Sequence, residues 1–88
     1  MRITHRLIGY DRQTDRMRFR FDIPEPLRPD VKRIVNVPQD DPDAVWSYQL
    51  SGAQVRALAN LIGAQVDPDQ AEFYLEASAD SAPAGRAA

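Results

Sequence analysis

Arg16-Met17-Arg18-Phe19-Arg20-Phe21-Asp22-Ile23 alternates without a break. Met17, Phe19, Phe21 and Ile23 fall on one side of an extended chain; Arg16, Arg18, Arg20 and Asp22 fall on the other. A period of two over eight residues predicts a strand with one face against a core and one in water. Pro24 ends it, because proline cannot donate to a ladder.

Upstream, residues 2–10 predict a second strand, and Asp11-Arg12-Gln13-Thr14-Asp15 is rich in turn formers. A five-residue loop pairs Tyr10 with Arg16, Leu7 with Phe19 and His5 with Phe21. Ile3, His5 and Leu7 then face the core, and Ile8 and Tyr10 lie outside among the arginines. A one-residue slip would reverse every face. Gly9 is a candidate bulge that lets both Leu7 and Ile8 be buried.

Downstream, Pro29 suits the first turn of a helix running to Val35, with Leu27, Val31, Ile34 and Val35 as its apolar stripe. Asn36 to Pro42 reads as an acidic, turn-rich link. Residues 44–50 predict a third strand with Trp46, Tyr48 and Leu50 on one face. Ser51 and Gln54 form an S-x-x-Q capping box, and Leu50 with Val55 a hydrophobic staple. Val55, Leu58, Ala59 and Ile62 then give one apolar helix face, stopped at Gly63. After an Asp67-Pro68-Asp69 turn, residues 71–77 alternate: Phe73 and Leu75 inward, Glu72, Tyr74 and Glu76 outward. Residues 79–88 offer no apolar periodicity and are expected to be a disordered tail. The expected architecture is one α+β domain over residues 1–78 in the order β-β-α-β-α-β, a mainly antiparallel four-stranded sheet with two helices on one face.

Composition bounds the function classes. The 88 residues suit one small domain, and with no cysteine neither a disulfide nor a thiolate metal site can staple it. The N-terminus lacks the apolar run of a signal peptide, and no segment has the length of a membrane span. The expected location is cytoplasmic. Net charge is -2 but unevenly placed: residues 1–33 carry nine basic and five acidic side chains, residues 34–88 two basic and eight acidic.

No catalytic constellation emerges. His5 is the single imidazole and reads as a partly buried structural side chain on a strand. Asp40, Asp41 and Asp43 lack the spacing of a calcium loop and read as a solvated acidic turn. The four glycines are scattered, so no phosphate loop is formed. No metal, cofactor or small-molecule ligand is expected. The candidate binding surface is the arginine stripe: Arg16, Arg18 and Arg20 with Arg6 from the neighbouring strand, and Tyr10 among them. Tyr74 is a further candidate, since it points away from Phe73 and Leu75. The stripe could meet phosphate groups, but the acidic second half opposes attraction of nucleic acid. The expected partner is another protein or a second copy of the chain, met through the outer sheet face or a sheet edge.

Tyr48-Gln49-Leu50-Ser51, the helix end Leu61-Ile62-Gly63, the Asp-Pro turn and the strand Tyr74-Leu75-Glu76 form a pattern together with the N-terminal hairpin. Over roughly residues 3–77 this pattern resembles a family of small uncharacterised bacterial proteins built on a domain of unknown function. The resemblance implies the fold and carries no activity.

Overall fold

In the computed structural model, which describes residues 2–80, four strands and two helices follow one another in the expected order. They are β1 (Arg2–Tyr10), β2 (Met17–Ile23), α1 (Arg28–Val35), β3 (Tyr48–Gln49), α2 (Gly52–Ile62) and β4 (Glu72–Asp80), with short 3-10 turns before α1 and before β4. The strands lie in the order β2-β1-β4-β3, every neighbouring pair antiparallel. Among the described residues no helix is long and apolar enough to cross a membrane.

The helix boundaries follow from local chemistry. α1 carries Pro29 in its first turn, preceded by a 3-10 turn at Glu25–Leu27, and ends at Asn36 in the left-handed conformation, where a short polar side chain is tolerated. α2 has the full capping box. The Ser51 hydroxyl accepts from the Gln54 amide, and the Gln54 side chain accepts from the Ser51 amide. Gly63 closes it at φ 75°. Val31 and Val35 of α1 and Val55 and Leu58 of α2 join Leu7, Ile23, Phe73 and Leu75 of the sheet in one buried cluster.

β1 is an inner strand, paired along its length with β4 and over His5–Tyr10 with β2. Its register against β2 differs from expectation by two residues: Leu7 opposes Phe21 and His5 opposes Ile23. The turn is longer by one residue, closed by the Asp11 amide donating to the Arg16 carbonyl at 2.7 Å. A bulge between Gly9 and Tyr10 absorbs another residue. Two shifts of one residue cancel in parity for Phe19, Phe21 and Ile23, whose expected faces survive. Met17, expected on the core face, lies beyond the bulge opposite Tyr10 and is instead 50% exposed. Ile8 nevertheless is buried, although it lies on the outer face. In register it sits between Arg20 and Tyr74, whose long side chains can cover it.

Gly9 marks where β2, β1 and β4 are drawn together on the core side. The rings of Phe19 and Phe73 approach to 5.6 Å between centroids across it. A Cβ at Gly9 would stand 2.7 Å from Phe73 and 3.0 Å from Phe19.

Two expectations are corrected. The third strand shrinks from 44–50 to Tyr48–Gln49, because Ala44 takes a left-handed φ of 52° and the Val45 and Trp46 amides are bound by a side chain instead of a ladder. Trp46, expected to share a strand face with Leu50, is 51% exposed while Leu50 is buried. β4 in turn runs to Asp80, past the boundary expected at residue 78, because Ala79 and Asp80 pair with Ile3 and Arg2. The rest of the expected tail lies outside the described residues.

Replacing Gly9 by alanine separates two physical effects. Relief of backbone entropy alone would stabilise a strand by roughly 0.5–1 kcal/mol. Overpacking two rings costs about 1–3 kcal/mol, and the 2.7 Å approach makes it dominant. We expect Gly9→Ala to lower the denaturation midpoint; an unchanged or raised midpoint would contradict the packing.

Candidate functional site

The buried polar side chains of the described core are His5, 4% exposed, and Asp41, 3% exposed. Both serve one loop, the segment between α1 and β3. The Asp41 carboxylate accepts from the Val45 amide at 2.9 Å, the Trp46 amide at 3.1 Å and the Tyr48 hydroxyl. Its own carbonyl accepts from the Ala44 amide at 3.0 Å. From the other side, His5 Nε2 lies 3.1 Å from the Asp43 carbonyl and 2.9 Å from the Ala44 carbonyl. Two carbonyl acceptors require that Nε2 carry the proton. The loop is therefore held between a carboxylate within it and an imidazole from the inner strand β1.

The electrostatics of Asp41 are a balance. Burial pushes its carboxyl pKa up, but the Tyr48 hydroxyl, the two amides and the nearby His5 together lower it below the ordinary value of 3.8. Burial and the neighbouring Asp41 charge push the Tyr48 phenol up to about 12, so it stays a donor. A charged carboxylate with three donors is a strong loop clamp.

What this clamp displays is apolar. Val45 is 47% and Trp46 51% exposed, next to the exposed Asp40 and Asp43. Ala44, fully buried at positive φ, is the bend that turns them outward. A non-glycine residue there costs on the order of 1 kcal/mol, a strain that recurs at functional sites. The three-aspartate stretch was thus misread as uniformly solvated: Asp40 and Asp43 are, Asp41 is not. The legible signal was an Asp four and five residues before the amides that it binds, a side-chain turn competing with the strand.

The arginine stripe is less free than its sequence implies. Arg6 pairs with Asp22 at 2.9 Å and donates to the Ser78 hydroxyl. Arg18 donates to the Gln70 carbonyl at 3.2 Å, stands 3.9 Å from Asp11, and lies 5.3 Å over the Phe19 ring. Arg16 and Arg20 are exposed. Tyr10 donates to Glu76 at 3.0 Å and meets Tyr74 edge to face at 5.7 Å. Tyr74 in turn lies 3.5 Å from Glu72. Burial first, then the hydrogen bond and charge of Glu76, raise the Tyr10 phenol above 10.0. The outer face thus interleaves Arg6 and Arg20 with Asp22, Glu72 and Glu76 across neighbouring strands. Among the described residues no three metal-binding side chains cluster.

Residues 5–76 match the family described as Domain of unknown function (DUF7683), and the chain belongs to it. No curated protein and no solved structure matches the chain significantly.

The clamp has a signed pH dependence. The lowered pKa means that folding favours the carboxylate. Its stabilisation is complete above the unfolded-state value near 3.8 and is lost as pH falls through the lower folded value. We expect Asp41→Asn to melt at a lower temperature than the wild type at neutral pH. The gap should narrow as pH drops below about 4; a gap constant down to the acid limit would contradict a charged clamp.

Proposed function

We propose that this DUF7683 member is a non-enzymatic accessory domain that binds another protein through the Val45–Trp46 loop. The observation that carries the reading is the exposure of Trp46 on a loop fixed by buried Asp41 and His5. Tryptophan is enriched among residues that dominate binding energy. A loop already held in place loses little further entropy on binding. The complementary partner surface is an apolar pocket with a basic rim, since Asp40 and Asp43 flank the apolar tip. A cytoplasmic location belongs to this reading and is compatible with a cysteine-free chain. The outer sheet face lends less to a nucleic-acid reading, because three carboxylates are interleaved with its arginines.

The test uses the full chain as bait in lysate of its source cells, beside Trp46→Ala and a triple Arg16, Arg18 and Arg20 to alanine variant, each checked for fold by circular dichroism. We expect a protein to be retained by the wild type and by the triple arginine variant. Trp46→Ala should weaken capture by roughly thirtyfold, the effect of a hot-spot residue. Labelled duplex and single-stranded oligonucleotides should show no binding at physiological salt. Capture indifferent to Trp46, or micromolar oligonucleotide binding lost with the arginines, would overturn the reading.

A further inference from the structure

The two edges of the sheet are built differently. β3 is two residues long and exposes almost no ladder. β2 is seven residues long, contains no proline, and among the described residues has no strand on its outer side. The bulge interrupts its ladder at Arg18, but Phe19–Ile23 is a regular run whose outer edge is a template for another strand. Its core-side rings are incompletely covered: Phe19 and Phe21 are half-buried and stacked at 6.5 Å, and Met17 is exposed.

The residues of β2 specify what fits there. Arg20 is exposed and has no ion-pair partner among the described residues. Asp22, two residues on and on the same face, stays largely exposed despite its bond to Arg6. An antiparallel copy of β2 centred on Phe21 would place each Arg20 opposite the other copy's Asp22. It would also set Phe19 opposite Ile23 and Phe21 opposite Phe21. Every pair is then either opposite in charge or apolar on both sides, the pairings that stabilise a sheet. The ladder would end where Pro24, lacking an N–H, meets Arg18. A register centred on Arg20 instead sets that arginine against its own copy and demands Arg18, which already holds the Gln70 carbonyl and lies near Asp11.

We propose that the chain forms a two-fold homodimer by antiparallel pairing of β2 with β2 around Phe21, giving a continuous eight-stranded sheet. The Arg20–Asp22 pairs set the register and the phenylalanines close the apolar side. β3, which the Trp46 loop enters, lies at the opposite edge, so this inference stands apart from the reading of that loop.

Charge inversion tests it through sedimentation of the full chain. Arg20→Asp alone would face two aspartates across the axis with two more, and Asp22→Arg alone would do the same with arginines. Each variant should dissociate at concentrations roughly tenfold or more above those for the wild type. An equimolar mixture restores both opposite-charge pairs and should recover a heterodimer. A partner other than a second copy would leave the mixture monomeric. A wild-type chain that sediments as a monomer up to its solubility limit, variants that dimerise as the wild type does, or a mixture that fails to recover the dimer would each overturn the proposal. Circular dichroism separates loss of pairing from loss of fold, and the wild-type measurement decides even if a variant unfolds.

Discussion

The inner position of β1 is the constraint from which the other features follow. A strand with neighbours on both sides has its backbone satisfied and both faces available for burial. On the core side Leu7 is fully buried and Gly9 admits the rings of Phe19 and Phe73. On the outer side Ile8 is buried, in register with Arg20 and Tyr74, and Arg6 and Tyr10 tie into Asp22 and Glu76. His5, at the other end of the same strand, reaches a loop that follows it by about forty residues in sequence. One strand thus organises the sheet, the core and the loop.

That loop is where the fold departs from the economical solution. An unbroken strand over 44–50 would have buried Trp46 and paired its amide. Instead, a buried carboxylate, a buried imidazole and an alanine at positive φ hold the segment off the sheet. A buried charge destabilises unless it is fully bonded, and here it is bonded by two amides and a phenol. Sites where local preference is overridden are commonly functional or strained. The tip left in solvent is a tryptophan beside a valine.

The fold was legible because its elements carry independent signals. Alternation in Met17–Ile23, the box at Ser51 and Gln54, and Gly63 after α2 each act locally, and the structure contains all three. The hairpin faces, Met17 excepted, were legible although the register was not, because register depended on a bulge and on a turn one residue longer. The candidate site was not legible for a different reason. Val45-Trp46-Ser47-Tyr48 has strand composition, which masks the local signal of Asp41 four and five residues before the amides it binds. The second holder, His5, reaches the loop only through the tertiary fold. Nor does the arginine alternation reveal that Glu72 and Glu76 come from a strand distant in sequence to share its face. Charge compensation across strands is a property of topology.

The clamp on the loop is the central claim, and amide hydrogen exchange at Val45 and Trp46 tests it most directly. Both amides are expected to exchange far more slowly than those of exposed neighbours in the wild type. In Asp41→Ala they should exchange quickly, while the amides of β1 keep their protection. Rapid exchange at Val45 and Trp46 in the wild-type chain would contradict a loop held by its buried carboxylate.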